Sequence, residues 1–248
     1  MEPTETTTVP KRHRRWYHPK YLVAIVCTVL GAWLLVAYVV LPLGWQEYAQ
    51  RHPGLDNVSG VTLTKNGIPG DPLNVALVGD EARVKAVMQA AGWNVADPLG
   101  FRSDVKIAAD TVLHRSYADA PVSNLYLFGR KEDLAFEQPV GNDPRRRHHV
   151  RFWRAEKTDS AGRPLFLGAV TFDQRVGLSH DTGQITHHIA PDVDTERDHL
   201  MRTLADTGSV ADTCYVDDFH KIRAGHNGGG DPWHTDGRLA VATLTEPP

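Results

Sequence analysis

The chain changes its hydrophobic pattern three times, and each change marks a different kind of element. From Tyr21 to Gln46 no side chain is charged, and Tyr21–Leu41 is apolar with a single threonine and one glycine. At ~1.5 Å of rise per residue such a run crosses a ~30 Å hydrocarbon core, so the pattern predicts a transmembrane helix over residues 21–45. After a stretch rich in breakers (Pro53, Gly54, Gly60, Gly67, Pro69, Gly70), the run 73–79 predicts a buried strand. Asp80 then caps a helix with Val84, Val87, Met88 and Ala91 on one face and Gly92 past its end. Ser103 caps a second amphipathic pattern, with Val105, Ala108, Ala109 and Val112 on one stripe.

Beyond residue 120 the period shortens. Residues 125–128, 134–138, 149–154, 164–171 and 185–189 are short β-type runs separated by Gly, Pro, Asn and Asp, which predicts an antiparallel block. A third helix, capped by Asp192 or Asp194 and ending at Gly208, carries Leu200, Met201 and Leu204 inward, and strands follow at about 210–216 and 238–243. Helices and strands segregate rather than alternate. The expected fold class is therefore α+β, a mixed, largely antiparallel sheet with about three helices behind one transmembrane helix. In domain terms this gives a basic tail (1–20), the membrane helix (21–45), a linker (46–70) with one short strand at 61–64, and a soluble domain (71–248).

Charge sets the expected orientation. Five basic and two acidic residues lie in the first twenty, of 27 and 30 in the chain, which leaves 22 basic against 28 acidic beyond residue 46. The basic flank (Lys11, Arg12, Arg14, Arg15, Lys20) predicts a cytoplasmic N-terminus and an extracytoplasmic C-terminal domain in the cell membrane, with Trp16, Tyr17, Trp45 and Tyr48 at the two headgroup layers. A mildly acidic outer domain argues against nucleic acid as a partner. Cys27 in the membrane helix and Cys214 in the domain cannot bridge, and Cys214 reads as a small buried hydrophobe.

Three polar clusters stand out. The first runs from Arg145 to Trp153. On a strand it sends Arg147, His149, Arg151 and Trp153 one way and His148, Val150 and Phe152 the other. Guanidinium forks grip phosphate or carboxylate, and an imidazole transfers protons near neutral pH, so Arg147 and Arg151 are candidate anion ligands and His149 a candidate catalytic group. A solvated edge strand protected by its charges is the competing reading. The second cluster, residues 186–194, places two adjacent histidines on opposite faces, so that one of them, His188, reaches a site. Asp173 and Arg175 flank the same side, the first as a proton-transfer partner and the second as an anion contact. The third is the glycine-rich loop around His226, Asn227 and Asp231, where the backbone can approach a ligand closely. Eleven of the thirteen histidines follow the membrane helix, yet no closed set of metal-ligand spacings, no dinucleotide or phosphate loop and no serine-nucleophile elbow is present. No metal ligand set is expected, and the sequence nominates no cofactor.

The segments GDPLNVALVG, PVSNLYLFGRKEDLAFEQPVGNDPRRRHHVRFW, LGAVTFDQRVGLS, TGQITHHIAPDVDTERD and NGGGDPWHTDGRL, in that order over residues 70–241, resemble the LssY C-terminal-like domain family. The resemblance implies a domain that accompanies membrane-embedded regions related to lipid phosphatases. Here the domain follows one anchor helix instead of a phosphatase-type bundle, so phosphatase activity does not transfer by association. The expected function is a membrane-anchored envelope protein that binds a phosphorylated lipid or glycan, and if it is an enzyme, a phosphoester hydrolase. A non-catalytic envelope scaffold or ligand-binding module is the alternative.

Overall fold

The computed structural model describes residues 19–41, 43–44, 60–65, 67–96, 124–141, 146–159, 161–180 and 185–246. The helix expected after Ser103 lies outside them. Helix α1 (Pro19–Leu35) continues as one π-helical stretch, Val36–Val40. Within this helix the 21 residues Lys20–Val40 form a span long and apolar enough to cross a membrane. Its Leu, Val and Ile side chains are largely exposed.

Among the described residues, fourteen strands and two further helices form the α+β domain. Strands β1 (Val61–Thr64), β2 (Pro69–Pro72), β5 (Leu125–Leu127) and β6 (Arg130–Lys131) make a four-stranded sheet. Strands β3 (Val75–Val78), β4 (Asn94–Val95), β7 (Leu134–Pro139), β8 (Arg147–Arg154), β9 (Leu165–Leu178), β10 (Ile185–Ile189), β11 (Val210–Val216) and β14 (Leu239–Leu244) make the main one. Its order is β11-β14-β3-β9-β8-β7-β4. The 14-residue β9 is the spine: its first part pairs with β3, its last part with β10, and most of its length with β8. Among the described strands only β3 and β14 pair in parallel. Strands β12 (Ala224–His226) and β13 (Pro232–His234) form a separate hairpin.

Helix α2 (Glu81–Ala90) begins at Asp80, whose carboxylate accepts from the Arg83 N–H at 2.7 Å, and is followed by Gly92 at φ +81. Helix α3 (Val193–Asp206) is capped by Asp192, which accepts from the N–H groups of Asp194 and Thr195. Asp194 instead sits in the first turn, taking hydrogen bonds from the Thr235 hydroxyl and the Asp236 N–H. Both helices cover one face of the main sheet. Val84, Val87, Met88, Leu200 and Leu204 pack there against Val75, Leu77, Phe136, Val150 and Phe152. At ~25 cal/mol per Å² of buried apolar area, this cluster is the main source of stability.

The other face of the sheet is different. Leu73, Leu125, Trp153 and Ala169 give it a small apolar patch with Phe219 and Leu167 at its margin. Charged and histidine side chains occupy the rest. Alternation on β8 places them there: Val150 and Phe152 enter the helix-side core, and Arg147, His149 and Arg151 enter the opposite layer. Strand β8 lies between β7 and β9, so it is an interior strand, and the edge-strand reading of its charges does not describe it. Cys214 also departs from expectation. It is exposed on β11, the outermost strand, whose residues from Ala211 to Val216 all face solvent.

Candidate functional site

The three polar clusters of the sequence converge on this second face. Arg147 is 1% exposed; its Nη1 donates to Glu137 Oε2 at 2.7 Å and its Nε to Asp173 Oδ2 at 3.2 Å. The register accounts for this, since Arg147 stands directly opposite Asp173 on β9 and His149 opposite Glu137 on β7. Two residues along, Arg151 Nη1 donates to Asp71 Oδ2 at 3.1 Å. Both guanidiniums are therefore engaged by buried carboxylates. Such charges are removed from water at a cost of several kcal/mol each, and only close pairing offsets it.

The second cluster joins through β10. His187 and His188 pair in regular succession with Val176 and Arg175, and the register shifts only after them, where Gln174 of β9 is skipped between His188 and Ile189. His187 Nε2 accepts from Arg147 Nη2 at 3.4 Å, which places its own proton on Nδ1. His188 Nδ1 lies 2.6 Å from Asp231 Oδ1. So both histidines reach the cluster, where the sequence pattern assigned one.

The third cluster closes the ring. In the loop after β12, Asn227 Oδ1 accepts from the N–H groups of Gly229 and Asp231, and Asn227 Nδ2 donates to Asp71 Oδ1 at 3.3 Å. Asp231 Oδ2 also accepts from the Ile189 N–H, and the Gly229 carbonyl accepts from the His180 N–H. A side chain at Gly229 would meet Asn227 Oδ1, Asp231 Oδ2 and Thr186, each at 3.3 Å, so the tight loop favours glycine there. His226 is exposed on β12 and stands apart from these contacts.

The electrostatics follow from this packing. Burial pushes the Asp71 carboxyl up, reinforced by Asp173, while Arg151 and Asn227 pull it down. His149 is driven well below its ordinary value, first by burial and then by Arg151 and Arg147 on either side, and is neutral at pH 7. His187 falls to about 4: burial leads, Asp173 pulls it back up, and Arg147 and Arg151 lower it further.

Among the described residues, neither His149 Nε2 nor His188 Nε2 meets a hydrogen-bond partner, although both are buried. For His188 the surroundings are specific. A Cβ on Gly177 would sit 2.7 Å from His188 Nε2 and 3.1 Å from Arg175 Nη1. Arg175 is exposed, whereas His188 is 2% exposed. A buried imidazole held by a carboxylate thus lies close over Gly177, beside a solvent-side guanidinium. Asp71, Glu137, His180 and His187 belong to this arrangement and were not singled out from the sequence. Asp71 lies in a breaker-rich segment and Glu137 in an apolar run, so neither carries a local signal of the cross-strand partner that gives it a role.

The fold and this face define an α+β domain with a buried, charge-compensated histidine and carboxylate cluster, following an apolar helix. Residues 55–239 match the family described as LssY C-terminus, and the chain belongs to that family. No curated protein and no solved structure matches the chain.

Proposed function

We propose that the chain is a single-pass membrane protein of the cell envelope whose outer domain binds a phosphorylated lipid or glycan where Arg175 and His188 meet over Gly177. The observation that carries this reading is the buried, unpartnered Nε2 of His188, aligned by Asp231 and lying beside an exposed guanidinium. Arg175 supplies the charge-assisted contact to the anion, worth ~1.5–3 kcal/mol. Arg147 and Arg151, paired with buried carboxylates, hold the strands behind it in place, and Asn227 and Asp231 hold the loop. His149 and Asp173 lie in the same polar layer, one neutral and one engaged by Arg147.

The same geometry suits hydrolysis. The oxygen of water bonds to phosphorus, the bond to the alcohol breaks, and the proton of water ends on the departing alkoxide; the buried Nε2 of His188 is the basic group that would carry it. The pairing of Arg147 and Arg151 with carboxylates favours a second reading, a binding module whose ion pairs serve to hold its shape. Turnover separates the two. The basic flank before Lys20 orients the domain outward, and retention of the helix in the mature protein distinguishes an anchor from a leader.

The test is a titration of full-length protein in nanodiscs with and without phosphatidic acid, and in solution with a hexose phosphate, at fixed salt. Arg175→Ala weakens binding about tenfold or more and leaves the melting temperature unchanged. Equal affinity in that variant, or no binding by the wild type, removes the reading. Phosphate release in the same samples decides between enzyme and module.

A further inference from the structure

His180, His188 and Asp231 each present a ligand atom, and the three atoms lie within 4.8 Å of one another. They come from separate parts of the chain: His180 follows the end of β9, His188 lies on β10 and Asp231 on the loop before β13. Their rings are close, with His180 and His188 centroids 5.2 Å apart. The backbone fixes this meeting, because the His180 N–H donates to the Gly229 carbonyl at 2.9 Å inside the loop that carries Asp231.

We infer that this corner is a divalent transition-metal site, with zinc the best-matched ion, in which His188 Nε2 and His180 coordinate the cation and Asp231 holds His188. Two imidazole nitrogens are donors of borderline character, which suit zinc better than magnesium or calcium, with water or the anionic ligand completing the coordination. The independent sign is the Nε2 of His188. Its side chain is 3% exposed, it finds no hydrogen-bond partner among the described residues, and its other nitrogen is held by a carboxylate. That is the pattern in which a second-shell acid fixes the tautomer of a metal-binding histidine. Bare polar nitrogens are costly to bury, and coordination removes the cost.

The inference rests on the proposed site and adds a cofactor to it. Arg175 would repel a cation at this spacing, and a phosphate between them removes the repulsion, so metal and anionic ligand should favour each other's binding by the same factor. With Nε2 on the cation, the cation would lower the pKa of a bound water; the hydroxide oxygen would bond to phosphorus as the bond to the alcohol breaks, and the proton released from the water would end on the departing alkoxide.

The experiment is calorimetric titration of the full-length protein in detergent, after chelation and dialysis, with zinc chloride alone. One equivalent binds, His180→Ala weakens it at least tenfold, and His226→Ala, at an exposed histidine outside the corner, leaves it unchanged. The melting temperature of each variant checks the fold, and His180→Gln serves as a second variant if His180→Ala unfolds. Absence of zinc binding at 100-fold molar excess, or His180 variants that bind as the wild type does, would overturn the metal site. Phosphatidic acid binding that depends on Arg175 but survives chelation would overturn the metal and leave the proposed function standing. Zinc binding that is lost in the His180 variants, in a protein that ignores phosphorylated ligands, would support the metal and remove the proposed function.

Discussion

His188 Nδ1 and Asp231 Oδ1 lie 2.6 Å apart, both side chains buried, across 43 positions of sequence. A carboxylate in that place keeps the proton on Nδ1 and leaves the Nε2 lone pair directed away from it. Asp231→Asn preserves size but turns the acceptor into an amide. Ligand affinity or turnover should fall 10- to 100-fold, the range for losing a group that orients a functional histidine. A titration beside a melting curve checks it; loss of fold without loss of function per folded molecule would assign Asp231 a structural role.

Arg147 should behave oppositely to Arg175. Removing the Arg147 guanidinium leaves Glu137 and Asp173 with uncompensated buried charge, which costs about 3–5 kcal/mol. For a domain of this size Arg147→Met therefore lowers the melting temperature by roughly 10 °C or more. Arg175→Ala, at an exposed position, changes stability by less than ~0.5 kcal/mol. Thermal unfolding of the two variants side by side tests the contrast, and equal stability would remove the charge-compensation account.

The histidines give the domain an acid-labile stability. His149 and His187 are held neutral in the folded protein, the latter with a pKa near 4, against an ordinary 6.5 in the unfolded chain. Below pH 6.5 the unfolded state takes up protons that the folded state refuses, so their contribution is present above 6.5 and is lost as pH falls toward 4. Asp71, raised by burial, acts with the opposite sign and favours the folded state as pH falls through its own titration. Denaturant unfolding at several pH values should show a slope between pH 6.5 and 4 that His187→Gln reduces. A slope unchanged in that variant would remove His187 as a source.

Topology is tested separately. With the basic flank inside, alkaline phosphatase fused after Pro248 is active and a cytoplasmic reporter there is not. The reverse result would leave an envelope ligand without its main support.

Much of this architecture is legible in the sequence because it is written in local periods. Asp80 and Gly92 bracket α2, and the alternation from Arg147 to Trp153 sorts that strand's two faces. The apolar helix needs no partner to be recognised. The site was legible only as clusters, since their convergence depends on pairing at long range: Arg147 meets Asp173 through the β8–β9 register, and His188 meets Asp231 through a loop. Nothing local to His187 marks its contact with Arg147, which is why the alternation assigned one histidine to the site where two arrive. The arginine row carries the same lesson, because its residue types suggest an anion from outside while its actual counter-charges, Glu137, Asp173 and Asp71, come from other strands.

The space at Gly177 tests the central claim most directly. Gly177→Ala adds one methyl group, 2.7 Å from His188 Nε2 and 3.1 Å from Arg175 Nη1, at a backbone conformation outside the left-handed region. The measurement is the dissociation constant for phosphatidic acid in nanodiscs, wild type against Gly177→Ala, with the melting temperature recorded for both. The predicted result is binding weakened at least tenfold in a protein that still melts cooperatively within a few degrees of the wild type, about the effect of one lost charge-assisted contact. Unchanged affinity with the methyl group in place would contradict the account, because the ligand would then not occupy the space where Arg175 and His188 meet.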